Sequence, residues 1–552
     1  MASRDVLTRT TMIIQEDDTI RGFYMKFNVL VSDPLAEEGI SILRGFCNVD
    51  EKSGLSEDEL VAIIGQYDAL IVRSGTEVTA RVIDAAPKMK YIGRAGAGVD
   101  NIDTDAATRK GIIVANAPEG NTLAATEHTM AMILSLARRI PSANASMKKG
   151  EWKRSAFMGV EMNEKVIGIV GFGRIGREVA KRAQSFDMRV VAYDPFITAE
   201  RGAQFGVEMM SVEDLFRVAD VITVHTPLIK ETKHLINEKS IATMKDGVRI
   251  INCARGGIID EMALAEAVKS GKVAGAALDV FEEEPPANSP LLDLDTVIVT
   301  PHLGASTVEA QKNVAISIAH QCIDVLKGGA AKYVVNAPMI PPDLQDTIEP
   351  YARLAEKMGR LASQVLPGAI TKIDVTYAGD LAEMGQNLKF VTRMAIKGIL
   401  DPILQMPVNI VNAGFITRER GIAVSETTTE ESHGFKNQIS LTVRTKDGSE
   451  TIIGSVFGKD RMRIVGIGSF TMDLVPEGSV VIAYHIDRPG VIGPAATVLG
   501  KHTINIAGMQ VGRVKAGEEA LMVLNVDSDV PETVMDELRS VPGINRATFA
   551  TL

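Results

Sequence analysis

Cysteine is scarce: Cys47, Cys253 and Cys322 stand far apart in a chain of 552 residues and form no CxxC pair. That spacing excludes a disulfide framework and a cysteine-built zinc site, and it fits a reducing, cytoplasmic setting. The eight histidines show no HExxH or related ligand spacing, so no resident metal is expected. No apolar run approaches the ~18 residues that cross a bilayer, so no membrane partner is expected. A basic excess is also missing, since 59 Lys plus Arg against 70 Asp plus Glu leave a formal charge of −11. That sign argues against nucleic acid as the main partner, yet leaves room for a small anion in a local basic pocket. Met1 to Lys26 carries Arg4, Arg9, Glu16, Asp17 and Asp18 without an apolar core. It is therefore not a secretory signal, and residues 1–25 are read as a mobile extension.

What is present is length for three to four domains. From Lys26 onward, short β-branched runs alternate with helical stretches, which predicts parallel sheets with helices on both faces. The first series has strands at 27–33, 69–73, 91–93 and 112–116, then a long amphipathic helix from Thr122 to Ile140, ended by Pro141. A second series has strands at 166–170, 190–193, 221–224, 249–252, 274–279 and 296–300. A helix from Thr307 to about Lys327 could carry the chain back to the first unit, which would then be discontinuous. Asn336–Pro342 marks a boundary. Beyond it come helices at 346–364 and 387–404, strands at 370–377, 439–444 and 451–457, and a polar loop at 426–434. In that block Arg393 and Lys397 form either an anion site or a solvated helix face. The last stretch reads β-α-β-β-α-β, a ferredoxin-like order, with strands at 480–485, 504–511, 519–526 and 544–551.

The sharpest motif is Gly171-Phe172-Gly173-Arg174-Ile175-Gly176, set between a strand and a helix. Gly171 permits the tight turn, Gly173 lets a pyrophosphate approach the backbone, and Gly176 lets helix and strand pack closely. The helix N-terminus supplies N–H groups and a favourable dipole for phosphates. Asp194 closes the next strand, where a carboxylate accepts hydrogen bonds from the adenine ribose and repels a 2′-phosphate. The pattern therefore predicts NAD rather than NADP.

Three more residues follow later strands of the same series: Arg255, Glu284 and His302. Ligands of open α/β sheets bind outside the carboxyl ends of the strands, so the three converge on one crevice beside the cofactor. An Arg holds a carboxylate bidentately. A His exchanges a proton with a hydroxyl, and a nearby carboxylate orients it. Arg73 follows a first-series strand and faces the same cleft.

The runs Asn252-Cys253-Ala254-Arg255-Gly256-Gly257, Leu278-Asp279-Val280-Phe281 with Glu282 to Pro286, and Pro301-His302-Leu303-Gly304-Ala305 resemble the D-isomer-specific 2-hydroxyacid dehydrogenases over Lys26 to about Val335. The likeness is strongest to the long-form members that oxidise 3-phosphoglycerate. The resemblance implies two Rossmann-like doubly wound α/β domains, one discontinuous, an α+β intervening domain and a C-terminal ACT domain. The implied boundaries are 26–120 with 307–335 for substrate, 121–306 for NAD, 336–477 and 478–552. It implies His302 as acid/base, Glu284 as its partner and Arg255 as substrate anchor. Thr76, Arg174, Ile175, Asp194, Thr226, Pro227, Cys253, Ala254, Asp279, Gly304 and Ala305 fall where the family contacts NAD. Arg138 and Arg139 end a helix that in this family packs across a dimer, so they could reach a neighbour's phosphate site. They also sit where a helix dipole favours cations.

The implied activity is NAD-dependent oxidation of 3-phospho-D-glycerate to 3-phosphohydroxypyruvate, the first step of L-serine biosynthesis, by a homodimer or homotetramer. Two alternatives stay open: a reductase for glyoxylate, hydroxypyruvate or 2-oxoglutarate, and an NADH-sensing, corepressor-like scaffold. The C-terminal stretch His485-Ile486-Asp487-Arg488-Pro489-Gly490 resembles an ACT module. With Asn505 it implies an L-serine effector site between subunits, or else an assembly module without ligand.

Overall fold

The computed structural model describes residues 27–431 and 434–552, so the extension expected at 1–25 lies outside the described residues. The first sheet contains β1 (Asn28–Val31), β2 (Asn48–Glu51), β3 (Ala69–Val72), β4 (Tyr91–Arg94) and β5 (Ile113–Asn116). It is wholly parallel, in the order β2-β1-β3-β4-β5. Its centre is apolar because β3, Ala-Leu-Ile-Val, is buried at every position. The sequence reading has no strand at β2. Asn48-Val49-Asp50-Glu51 lies on the exposed sheet edge, where no buried face imposes a β-branched pattern.

The second sheet holds β6 (Val166–Val170), β7 (Arg189–Tyr193), β8 (Glu208–Met209), β9 (Val221–Val224), β10 (Val248–Asn252), β11 (Val273–Leu278) and β12 (Val297–Val299). All are parallel, in the order β12-β11-β10-β9-β6-β7-β8. The order reverses between β6 and β9, which opens a crevice at their carboxyl ends. Helix starts here are written in the sequence: Asp260 and Thr307 each cap a helix by accepting a backbone N–H three residues on.

The long helix at 122–140 needs correcting. The structure has Thr122–Arg138, then a left-handed Arg139 (φ 52°), then a second helix Ile140–Lys148. Pro141 therefore sits in the first turn of a new helix, where its missing N–H costs nothing, rather than ending the old one. The helix Val308–Leu326 packs on the first sheet, burying Val314, Ile318 and Cys322 against Val29, Ile40 and Tyr91. Each such large apolar side chain contributes roughly 1.5–3 kcal/mol. Gly39 permits the approach, since a Cβ there would fall 2.7 Å from the Ala315 carbonyl oxygen. Gln321 then ties β5 to the following segment, donating to Asn116 O and accepting from Tyr333 N–H.

The third sheet runs β14-β13-β15-β16-β17-β18, from β13 (Ile370–Gly379), β14 (Ala423–Thr429), β15 (Asn437–Thr445), β16 (Ser449–Phe457), β17 (Arg461–Ile467) and β18 (Phe470–Leu474). Helices Gln345–Val365 and Leu388–Leu400 cover it. The polar loop expected at 426–434 is strand as far as Thr429. Its polar side chains face solvent on an edge strand that pairs in parallel with β13.

The last sheet holds β19 (Ser479–Ile486), β20 (Ile506–Arg513), β21 (Glu519–Val526) and β22 (Ile544–Thr551), antiparallel in the order β20-β21-β19-β22. Helices Ile492–Lys501 and Glu532–Arg539 cover one face. The other face shares a core with the third unit, where Val480, Ile482 and Leu521 meet Met358, Leu441 and Leu474.

Candidate active site

The Gly-rich turn joins β6 to the helix Arg174–Gln184. Gly171 has φ +95°, and a Cβ there would fall 2.6 Å from His225 O on the neighbouring β9 end. A Cβ at Gly176 would overlap Gly171 O, while Gly173 faces open space. That open face sits at the helix N-terminus, which has no side-chain cap, so its N–H groups are available to an anion. Arg174 lies over the Tyr333 ring at 5.5 Å, and Ile175 packs on the core beneath the turn.

Asp194 holds the same turn. One carboxylate oxygen accepts Phe172 N–H at 2.9 Å and the other Phe196 N–H at 2.9 Å. Thr226 borders Gly171, and its hydroxyl is buried with no partner among the described residues. An orphaned hydroxyl, open space at Gly173 and uncapped N–H groups together fit the pyrophosphate end of a dinucleotide.

At the adjoining ends of β10, β11 and β12 the loops touch, and a Cβ at Gly256 would overlap Phe281 O. Asp279 anchors this corner. It is wholly buried and accepts N–H from Leu303 and Gly304 at 2.7 Å, the Thr300 hydroxyl, and His128 Nε2 at 3.2 Å. Burial raises its proton affinity, but the bonds from His128, Thr300 and Leu303 outweigh it, and the carboxyl stays below its ordinary range. Asp279, expected at the cofactor, has these donors on both oxygens and no exposed surface; its visible work is to fix the loop that carries His302. Cys253 is buried too, and burial followed by the Asp279 charge pushes its thiol up to about 12, so it is no thiolate nucleophile.

His302 adopts a left-handed backbone (φ 55°), with its N–H donated to Asp279 O. Its Nδ1 lies 2.8 Å from Glu284 Oε2, and Glu284 Oε1 accepts Phe281 N–H at 3.1 Å. Burial pushes the Glu284 carboxyl up, but His302 overcomes that and holds it below its usual value. An ionised carboxylate only accepts, so Nδ1 carries a proton, and in the neutral ring Nε2 is then the lone-pair nitrogen.

Arg255 spans the cleft. Its Nε donates to Asp100 Oδ2 of the first unit at 2.9 Å and its Nη1 to Ala254 O at 2.7 Å. A Cβ at Gly98 would overlap its Nη2. Arg94, at the carboxyl end of β4, is largely buried; its guanidinium is pushed down by burial first and by Arg255 and Arg73 after it. The Nε atoms of Arg73 and Arg94 are both buried without a partner among the described residues. Arg73 is otherwise held by Asp33, which takes its N–H at 2.6 Å. Three guanidinium groups thus share one corner, with Asp100 and Asp33 partly offsetting the charge felt by Arg94.

Arg94 escaped the sequence reading. Its signal was a lone charge closing the otherwise buried strand Tyr91-Ile92-Gly93.

Other candidates stand apart. Thr76 is buried, with its hydroxyl turned to Ser32. Pro227 offers its carbonyl to Thr232, and Ala254 gives its N–H to Asn252. Ala305 O accepts Gln311 Nε2. Arg138 and Arg139 lie at the far end of a 17-residue helix, roughly 25 Å from its cleft end. Arg139 donates to Ala156 O and stacks on Phe157. They are not part of this chain's own cleft.

In the C-terminal unit the three expected effector residues do not meet. His485 is buried with Nδ1 on Ile486 O. Asp487 accepts Arg513 at the Ile486 end of the sheet. Asn505 donates to Asp527 at the opposite end, because β19 and β20 both run antiparallel to β21.

Comparison with known proteins agrees with this architecture. Residues 130–304 match the family model of the D-isomer specific 2-hydroxyacid dehydrogenase NAD binding domain. Residues 347–468 match the D-3-phosphoglycerate dehydrogenase intervening domain and 479–543 the ACT domain. A D-3-phosphoglycerate dehydrogenase of Methanocaldococcus jannaschii is 46% identical over 526 residues, covering 95% of this chain and 99% of that one. One from Bacillus subtilis is 46% identical over 521 residues, covering 94% and 98%. A solved D-lactate dehydrogenase of Aquifex aeolicus, complexed with NAD and lactic acid, superposes with TM-score 0.52 at 29% identity, covering 56% of this chain and 100% of that one. A glyoxylate reductase from Paecilomyes thermophila gives TM-score 0.53 at 30% identity, covering 56% and 99%.

Proposed function

This chain belongs to the D-3-phosphoglycerate dehydrogenases of the D-isomer-specific 2-hydroxyacid dehydrogenase family, and from that premise we propose that it oxidises 3-phospho-D-glycerate to 3-phosphohydroxypyruvate with NAD, opening L-serine biosynthesis. The observation that carries the reading is the His302–Glu284 pair set beside a cleft corner holding Arg255, Arg94 and Arg73. Arg255 grips the substrate carboxylate as a planar fork. Arg73 and Arg94, with unmet donors, take the phosphate. His302 Nε2 accepts the proton of the C2 hydroxyl while the C2–H pair leaves as hydride and the carbonyl forms. Glu284 keeps the tautomer and stabilises the imidazolium. NAD, when bound, supplies the hydride acceptor. The Gly171–Gly176 turn and Thr226 hold its pyrophosphate, and Asp194 its ribose. Residues 26–120 with 307–335 form the substrate unit and 121–306 the cofactor unit.

Assembly belongs to the same proposal. Strand β20 ends its sheet with Met509 and Val511 exposed, while its Gly512 end lies against Thr471 of β18. Asp487 and Asn505 sit at opposite ends of the sheet, roughly 25 Å apart. Antiparallel pairing of β20 with a second copy brings Asn505 of one toward Asp487 of the other. A homo-oligomer with L-serine held between two such modules follows, working in the cytoplasm.

The test is NADH formation at alkaline pH with 3-phosphoglycerate, glycerate and 2-hydroxyglutarate. Strong preference for the phosphorylated acid supports the reading. Preference for 2-hydroxyglutarate indicates the reductase alternative, and no NADH from any of them indicates a scaffold.

A further inference from the structure

Between the first unit and the third lies a cavity of about 910 Å³. One wall is the helix Leu388–Leu400, the opposite side the short helix Ala413–Glu419, and the floor the segment 335–338 with residues of the first unit. Three cations face it: Lys389 and Arg393, one turn apart on the first helix, and Arg418 on the second. The acids in the lining are Asp105 of the first unit and Glu426 of β14. None of the three cations makes a hydrogen bond or ion pair with any described residue.

Arg393 is the built feature. Burial is the larger influence on its guanidinium and the Arg418 charge the next, both pushing its proton affinity down, while the Glu426 charge opposes them without reversing the direction. The group lies directly against Gly414, where a Cβ would overlap Nη1 and Cζ. A half-buried guanidinium with no hydrogen bond or ion pair among the described residues, beside a second cation, is stabilised by an added anion. By contrast Lys397, on the same helix, is neutralised by Glu356 at 2.6 Å. The sequence reading of Arg393 and Lys397 as one site is therefore corrected: Arg393 belongs with Lys389 and Arg418, and the helix face is not simply solvated.

We propose that Arg393, Arg418 and Lys389 form a second anion site, separate from the dehydrogenase cleft, for a small multivalent oxyanion such as a phosphate ester or a di- or tricarboxylate. Its position makes it a clasp. Asn409 donates to Gly111 O across the same boundary, and Asn336 pins the connecting segment to Val114, Thr108 and Ile112. A ligand filling the cavity thus contacts both units at the point where they join.

Calorimetric titration of the full-length oligomer with inorganic phosphate, and separately with citrate, tests this at fixed ionic strength. Three chains are compared: wild type, Arg393→Gln and Arg73→Gln. The expected result is one class of binding weakened about tenfold or more in Arg393→Gln and retained in Arg73→Gln. Citrate binding without phosphate binding, or the reverse, identifies which oxyanion class the site takes. Equal binding by wild type and Arg393→Gln for both probes, or no binding by wild type, overturns the proposal. Lys389→Gln, at a less buried position, guards against misfolding: it should weaken binding in the same direction with unchanged NADH titration. Loss in Arg73→Gln alone assigns all binding to the dehydrogenase cleft and also overturns it.

Discussion

In the proposed mechanism His302 is the acid/base, and two neighbours fix it: Asp279 takes the N–H groups of the following loop, and Glu284 takes Nδ1. Replacing His302 by Ala is expected to cut turnover by about 10²–10⁴, with NADH binding retained on fluorescence titration. Glu284→Gln tests the partner. Its carboxylate holds Nδ1 at 2.8 Å, so its removal should change the pH profile of kcat/KM, and an unchanged profile would detach Glu284 from the histidine. Asp194→Ser should relax discrimination against NADP, measured as the ratio of kcat/KM for the two cofactors. Arg255, Glu284 and His302 were legible because each follows a strand within a distinctive run. Arg94 was not, since a single Arg after Tyr-Ile-Gly has no local pattern, and only the parallel sheet sets it beside Arg73 and Arg255.

At the scale of elements, buried strands such as β9 were legible to the residue, because every position is buried, three of the four are β-branched apolar residues, and both faces are covered. The edge strands β2 and β14 were not, because polar side chains facing solvent leave no period to read. A carboxylate ties β13 to both of its neighbouring strands. Asp374 of β13 accepts Lys372 at 2.7 Å, Arg444 at 3.1 Å and the Ser425 hydroxyl of β14. Burial opposes its ionisation, but these partners prevail and lower its pKa from 3.8 to about 2. A depressed acid stabilises the fold above its unfolded value and loses that contribution as pH falls through its folded one. Asp374→Asn should therefore lose about 2 kcal/mol at neutral pH. The penalty should shrink between about pH 4 and pH 2, as read from urea midpoints. A deficit independent of pH over that window would show that packing, not charge, was lost.

Over the whole molecule, four sheets are joined in series: the cleft lies between the first two, and the third and fourth share one core. The fold class was legible because period and turn residues repeat along the chain. The separation of Asp487 from Asn505 to opposite ends of one module's sheet was not, since it is set by the strand directions. L-serine should inhibit the distant cleft, and Asp487→Ala or Asn505→Ala should each abolish inhibition while leaving basal turnover intact. By linkage, an effector acts only through its differential affinity for two states, so serine must also bind more weakly in those variants on calorimetry. The central claim is hydride transfer from C2 of a phosphorylated 2-hydroxy acid. Its most direct measurement is mass spectrometry of the NADH formed from 3-phosphoglycerate deuterated at C2. The account predicts one deuterium in each NADH from the wild type and almost no product from His302→Ala. Unlabelled NADH, or equal yields of labelled NADH from both proteins, would contradict it.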